Sequence, residues 1–225
     1  PLIQCACYMR MYHHKYLELL SEACRKFNIH LIADEIAVGF GRTGTMFGFQ
    51  QAKITPDIIC LSKGITGGYM TLSTILTTDD IYDAFYDEYE KLNAFLHSHS
   101  YTANPIACSA ANATLDIFKD KDVIKKNRIL SAHMRRCFES LKDHPHVSDV
   151  RQKGMVLAIE LIKDKKRKLS YDWKERRGIR AYLHGLKNNV LMRPLGNVLY
   201  FMPPYVITKK EISFVSEIMK EGVDE

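Results

Sequence analysis

The sequence predicts an α/β fold, because short apolar strands alternate with amphipathic helices along its first half. Residues 14–28 carry apolar side chains at three- and four-residue steps, which indicates a helix with one apolar face. Apolar runs rich in β-branched residues follow at 29–36, 57–61 and 71–78 and are typical of strands. This alternation favours a largely parallel sheet flanked by helices.

Two further helices are predicted before the pattern changes. Residues 79–92 open with aspartates suited to a helix N-terminus, and residues 104–118 begin with Pro105, which suits the first turn. From about Asp120 a long amphipathic helix begins a segment that reads as α+β. We therefore expect two domains, the first at 1–119 and the second, smaller one at 120–225.

The second half has seven recognisable segments. They are a helix at 122–143, a break at 144–149, a strand at 155–161, a basic loop, a further helix, the segment VLMRPLGNVLYFMPPY at 190–205 and a last helix after Thr208. Neither half contains an internal repeat or a long low-complexity stretch, so we expect ordered structure throughout.

Composition narrows the class of protein. The chain has 225 residues, 46% of them hydrophobic, and no run approaches the roughly 18 apolar residues of a membrane span. The net charge of +6 is concentrated at 163–168 and 174–180 without interleaved aromatic residues, so a solvated surface is favoured over a nucleic-acid site. Six cysteines without a CxxC pair indicate a reducing compartment. We expect a cytoplasmic protein with neither nucleic acid nor membrane as a partner.

The segment DIICLSKGITGG, residues 57–68, places Lys63 at the end of a buried strand. Gly64, Gly67 and Gly68 follow it and give the backbone freedom around it. Such surroundings can lower the pKa of a lysine and make its amine a nucleophile. A solvated loop lysine stays open as the alternative.

The segment HLIADEI places two carboxylates at the end of an apolar strand, and Asp34 is expected to meet a positive group. Lys63 ends the next buried strand, 29 residues later. In a parallel sheet both strand ends lie at one edge, so an acid and an amine share a crevice. Pyridoxal phosphate chemistry needs this pair of groups. An Asp–Lys salt bridge explains the spacing equally well.

Two other motifs are weaker indications of function. GFGRTG at 39–44 matches the dinucleotide-binding string, but no helix pattern follows it directly, so a nicotinamide dehydrogenase is disfavoured. His97 and His99 have no third ligand at a suitable spacing, so no metal site is expected. A non-catalytic binding module, with the basic loop at 163–168 as its surface, remains an alternative of another class.

Four separated segments, at 31–50, 56–78, 97–115 and 193–205, closely resemble the class III (fold type I) aminotransferases that use pyridoxal 5′-phosphate. The resemblance implies a mostly parallel sheet in a large domain, a smaller C-terminal domain, and a homodimer with shared active sites. It is strongest to members of the biotin pathway. It therefore implies transamination of 8-amino-7-oxononanoate to 7,8-diaminononanoate, with S-adenosylmethionine as the expected donor. An ω-aminotransferase of the ornithine or 4-aminobutyrate type is the alternative.

The resemblance also assigns roles to single residues. Lys63 matches the catalytic Schiff-base lysine, and Asp34 matches the partner of the pyridinium nitrogen. The other cofactor contacts implied are Ile36 against the ring, Ser100 in the place of a phosphate-binding threonine, and Tyr101 beside it. The substrate contacts implied are Arg42, Arg193, which would hold the keto-acid carboxylate, and Tyr200.

The sequence departs from the family pattern in several places. Cys5, Cys7 and Tyr8 replace glycines, and Val38 replaces a threonine. Ser98 stands where a glycine is usual, and no substrate contact is assigned to it. The chain begins in apolar sequence without an initiator methionine, and the family's phosphate-binding loop has no counterpart in it. We therefore expect a fragment that is a poor catalyst alone.

Overall fold

The computed structural model describes residues 1–97 and 99–225, and the chain forms two units within them. Unit 1 consists of Pro1–Leu2, His13–Phe40 and Thr45–Asp122, and unit 2 consists of Ile3–Tyr12, Gly41–Gly44 and Val123–Glu225. Two segments from the first 119 residues therefore belong to unit 2. The domain boundary at 119/120 stays a prediction. Over the residues described, no helix combines the length and the apolar character needed to cross a membrane.

The chain contains nine strands and six α-helices within the described residues. The strands are β1 (Ile3–Gln4), β2 (Arg10–Met11), β3 (Ile32–Asp34), β4 (Ile58–Ser62), β5 (Ser73–Thr77), β6 (Val147–Lys153), β7 (Val156–Leu161), β8 (Arg193–Leu195) and β9 (Val198–Phe201). The helices are α1 (His14–Lys26), α2 (Asp79–Asp83), α3 (Pro105–Asp120), α4 (Val123–Cys137), α5 (Arg177–Lys187) and α6 (Lys209–Asp224).

Unit 1 contains a three-stranded sheet in the order β3-β4-β5. β3 and β4 are parallel, with Asp34 opposite Cys60, whereas β5 runs antiparallel to β4. Phe40, Leu61 and Ile65 are buried in a cluster that α3 completes. The parallel pair brings the carboxyl ends of β3 and β4 to the same edge, as the sequence predicts, and the α/β class is confirmed.

Unit 2 contains a four-stranded antiparallel sheet in the order β6-β7-β9-β8. One face of this sheet presents Leu157, Ile159 and Leu199 to a core shared with α4, α5 and α6. Alternation along the strands sends the neighbouring residues to the opposite face. Unit 2 is therefore the α+β part of the chain, with a helical layer on one side of its sheet.

Four element predictions were wrong in extent. The strand expected at 29–36 is only β3, Ile32–Asp34. The helix expected at 79–92 is only α2, followed by a single turn of 3₁₀ helix at Tyr89–Lys91, because none of the residues of α2 is buried and packing does not extend it. The helix expected at 122–143 ends at Cys137. The break expected at 144–149 contains the start of β6, whose register shifts between Val147 and Asp149 and hides the alternation.

Candidate active site

Lys63 lies directly after β4 and starts a turn of 3₁₀ helix that ends at Thr66. Its φ of 48° is in the left-handed region, which costs a residue with a Cβ about 1–3 kcal/mol. The next position takes a glycine, Gly64, because a Cβ there would lie only 2.9 Å from Cδ2 of the Phe40 ring. Ser62 fixes the strand end by donating its hydroxyl to the Leu72 carbonyl at 2.7 Å. The Lys63 residue is exposed.

Asp34 ends β3, and its partner in β4, Cys60, lies three positions before Lys63. Its side chain is exposed, and Oδ1 accepts the N–H of Ile36 at 3.0 Å. Ile36 is half-buried. Within the described parts of the chain, Asp34 and Lys63 form no ion pair, so the salt bridge that the spacing allowed is not present.

Glu35 is the buried carboxylate of this strand end, with 0% of its surface exposed. Its two oxygens accept the backbone N–H groups of Gly48 and Phe49, each at 3.0 Å. Burial raises the pKa of the Glu35 carboxyl above its usual value, and the two backbone hydrogen bonds oppose that rise. Glu35 thus fixes the loop that follows β3. The sequence prediction missed this residue, although two adjacent acids at a strand end imply that one of them faces inward.

Ser100 and Tyr101 lie in the turn that leads into α3, and both are exposed. The Tyr101 N–H donates to Nδ1 of His99 at 3.1 Å. Asn104 then caps α3, because its side-chain oxygen accepts the N–H groups of residues 106 and 107. Ser98 lies outside the described residues. The five residues predicted to contact the cofactor therefore all belong to unit 1.

Arg42 belongs to unit 2, where its guanidinium donates to the Pro203 carbonyl at 2.5 Å and lies 4.4 Å from the centre of the Tyr205 ring. Burial raises the pKa of Tyr205 to about 12, and the charge of Arg42 opposes the rise. The segment 39–44 that contains Arg42 leads into no helix, and a short 3₁₀ helix begins only at Gly48. The arginine is thus held in a defined orientation.

Arg193 and Tyr200 are directly opposite each other in β8 and β9. Directly opposed residues of an antiparallel pair point to the same face, so the guanidinium and the phenol share one side of the sheet. Arg193 is exposed, and no acid of the described chain pairs with it. Both residues line a cavity of about 530 Å³. The three residues predicted to contact the substrate therefore all belong to unit 2.

Within residues 1–97 and 99–225, no group of three or more His, Cys, Asp or Glu side chains is arranged to hold a metal ion.

A second residue that the sequence prediction missed is Arg151 in β6, whose guanidinium binds two backbone carbonyls of the β1–β2 loop. The only sequence signal for this contact was a single arginine in the stretch that forms β6, and the first residues of that stretch were predicted to be a break.

A lysine and an aspartate at the ends of adjacent parallel strands, on an α/β fold, are the groups expected of a pyridoxal-phosphate enzyme. The family model of class III aminotransferases matches residues 1–223, and the chain belongs to that family. Class III aminotransferases depend on pyridoxal 5′-phosphate.

Individual relatives agree with this assignment. The chain is 46% identical over 229 residues to adenosylmethionine-8-amino-7-oxononanoate aminotransferase of Helicobacter pylori, covering 100% of this chain and 51% of the relative. The enzyme of the same name from Geobacter sulfurreducens is 42% identical over 99% of this chain and 49% of its own. The crystal structure of the Methanocaldococcus jannaschii enzyme of that name has a TM-score of 0.95 at 39% identity, covering 99% of this chain and 52% of that one. The chain spans about half the length of these relatives.

The side chains of unit 1 fit the cofactor chemically. The amine of the exposed residue Lys63, which forms no ion pair within the described residues, suits an aldehyde. The hydrogen bond from Ile36 engages only one oxygen of Asp34, and the second has no partner within the described chain. A free, exposed carboxylate oxygen suits a protonated ring nitrogen. Both groups come from the carboxyl ends of adjacent parallel strands.

Proposed function

We propose that the whole protein transfers an amino group to 8-amino-7-oxononanoate, giving 7,8-diaminononanoate in biotin biosynthesis. The observation that carries this proposal is the 46% identity, over the entire chain, to a relative with the corresponding name. S-adenosylmethionine is the proposed amino donor. The proposal includes a cytoplasmic homodimer in which Ser100 contacts the cofactor phosphate of the neighbouring subunit.

The cavity beside Arg193 supports a long aliphatic acid as the substrate. Its wall is mainly apolar and includes Val206, Phe214 and Met219, while Arg193 supplies a guanidinium that no acid of the described chain pairs with. A guanidinium binds a carboxylate through two parallel N–H···O bonds, and an apolar wall suits a methylene chain. A short, fully polar acceptor would leave this wall in contact with water.

The roles of the residues follow from their chemistry. Bound pyridoxal phosphate supplies an electron sink for the carbon that carries the amino group. Asp34 would keep the ring nitrogen protonated, and Ile36 would lie against the ring. Lys63 Nζ would hold the cofactor between half-reactions and would move the proton at the carbon that carries nitrogen. Arg193 orients the keto acid by its carboxylate. Donor and acceptor use the same site in turn, so the kinetics are ping-pong.

The test uses the protein produced from its complete reading frame and loaded with pyridoxal phosphate. Borohydride reduction and peptide mass mapping should place a pyridoxyl group on Lys63, and Lys63→Ala should remove it. Lys53→Ala is the matched control, because Lys53 is also exposed, lies in the same unit and has a φ of 51°. A folded protein without an adduct on Lys63 would contradict the proposal.

An acceptor screen tests the substrate. With S-adenosylmethionine as donor, 8-amino-7-oxononanoate should be aminated, and the semialdehyde acceptors of ω-aminotransferases should react at least about tenfold more slowly by kcat/KM. Preference for a semialdehyde would replace the proposed substrate by that of an ω-aminotransferase.

A further inference from the structure

The loop between β1 and β2 contains two consecutive residues with left-handed backbone. Tyr8 and Met9 both have a φ of 53°, and neither is glycine. Each costs about 1–3 kcal/mol, so the conformation persists only where neighbouring groups hold it. The side chain of Met9 is buried, whereas that of Tyr8 is 58% exposed.

Arg151 holds this loop. Its guanidinium donates to the Tyr8 carbonyl at 2.6 Å and to the Met9 carbonyl at 3.0 Å. The same guanidinium donates to Asp149 at 3.0 Å and to Glu160 at 2.6 Å, and these two acids fix its orientation. The backbone of Tyr8 is therefore anchored to β6, and the direction in which its ring projects is defined.

The Tyr8 ring projects toward the turn that joins β8 and β9. A Cβ built on Gly196, in that two-residue turn, would lie 3.3 Å from Cε1 of Tyr8. The turn also contacts α5, since a Cβ on Gly178 would lie 2.2 Å from the Gly196 carbonyl oxygen and 2.6 Å from Cβ of Pro194. Gly196 itself has a φ of 58° and cannot become larger without strain. The turn is thus in contact with both the tyrosine ring and the helix.

The same hairpin carries Arg193 and Tyr200, three and four residues from Gly196. We propose that Tyr8 is a positioning residue that restrains the β8–β9 turn and thereby sets where Arg193 presents its guanidinium to the substrate carboxylate. This inference rests on the proposed function for the identity of the substrate. In this proposal Tyr8 acts on Arg193 only through the hairpin.

Tyr8→Gly in the complete, cofactor-loaded protein tests the inference. Glycine adopts positive φ readily, so the variant should fold at least as stably as the wild type. We expect the KM for 8-amino-7-oxononanoate to rise about tenfold, with kcat and the KM of the amino donor changed less than about twofold. Tyr8→Phe keeps the ring and should behave as the wild type. An unchanged acceptor KM, or an equal loss for donor and acceptor, would overturn the inference.

Hydrogen exchange separates this inference from the proposed function. In Tyr8→Gly, the amides of the β8–β9 turn should exchange at least about fivefold faster than in Tyr8→Phe. Unchanged exchange shows that the ring does not restrain the turn and overturns the inference whatever the activity. A wild-type protein that fails to aminate the keto acid overturns the proposed function, and the exchange rates then still decide whether Tyr8 restrains the turn.

Discussion

Replacing Glu35 by glutamine tests how the buried carboxylate fixes the loop after β3. Both oxygens of Glu35 accept backbone N–H groups, from Gly48 and Phe49. Glutamine has only one acceptor oxygen, so one of these buried N–H groups would face an NH₂ donor. Leaving a buried donor unpaired costs about 1–3 kcal/mol. We therefore expect Glu35→Gln to destabilise this loop locally by about 2 kcal/mol.

Native-state hydrogen exchange measures that change at the two amides concerned. A loss of about 2 kcal/mol corresponds to roughly 30-fold lower protection of Gly48 or Phe49. Glu22→Gln is the control, because Glu22 is an exposed carboxylate on α1 in the same unit, and it should leave both amides unchanged. Protection that stays within twofold of the wild type in Glu35→Gln would refute the assigned role.

The raised pKa of Glu35 fixes the direction in which its contribution to amide protection changes with pH. Burial raises the pKa of Glu35, so the folded chain keeps this proton to a higher pH than the unfolded chain does. Between the unfolded pKa, about 4.3, and the raised folded pKa, the native state binds more protons. The stabilising contribution of Glu35 therefore falls as the pH rises through this window. The difference in protection between the wild type and Glu35→Gln should narrow from pH 4 to pH 7, and a widening would contradict the direction of the shift.

Two further substitutions probe the supports of the proposed site. Gly154→Ala should destabilise unit 2 by more than about 2 kcal/mol in urea unfolding followed by circular dichroism, since a Cβ on residue 154 would lie 2.2 Å from the Arg42 carbonyl oxygen. Gly44→Ala shares the positive φ but meets no atom within 4 Å, so it should cost less, and equal losses would refute the steric argument. Asn104→Ala removes the cap of α3 and should lower protection of its first-turn amides by about 0.5–2 kcal/mol, whereas Asn104→Asp should preserve it.

The sequence predicted those parts of the fold whose local pattern and packing agree. The α3 helix begins at Pro105, and β4 lies within one residue of its predicted bounds, because an N-cap with a proline and a short apolar run are local signals. α2 was overpredicted because its apolar residues have no buried face to occupy. The start of β6 was missed because the register shift between Val147 and Asp149 breaks the two-residue alternation.

The placement of Asp34 and Lys63 at adjacent strand ends could be predicted because strands that alternate with helices favour a parallel sheet, in which the carboxyl ends of the strands meet at one edge. Which carboxylate is buried could not, since the choice between Asp34 and Glu35 depends on backbone donors 13 and 14 residues downstream. The role of Arg151 in holding the β1–β2 loop was equally hidden, because the two carbonyls that it binds there lie more than 140 residues away in the sequence. Contacts of that kind leave no local pattern.

The attachment of the β1–β2 loop to β6 has a consequence for synthesis of the chain. Met9 and its anchor Arg151 are 142 positions apart, so at roughly 5–20 residues per second the anchor follows roughly 7 to 28 s later. Until then the ribosome-bound chain exposes two short strands and a loop whose left-handed residues lack their anchor. Closing so long a segment is slow. Molecular chaperones that bind nascent apolar segments therefore have time to engage the β1–β2 loop before it docks.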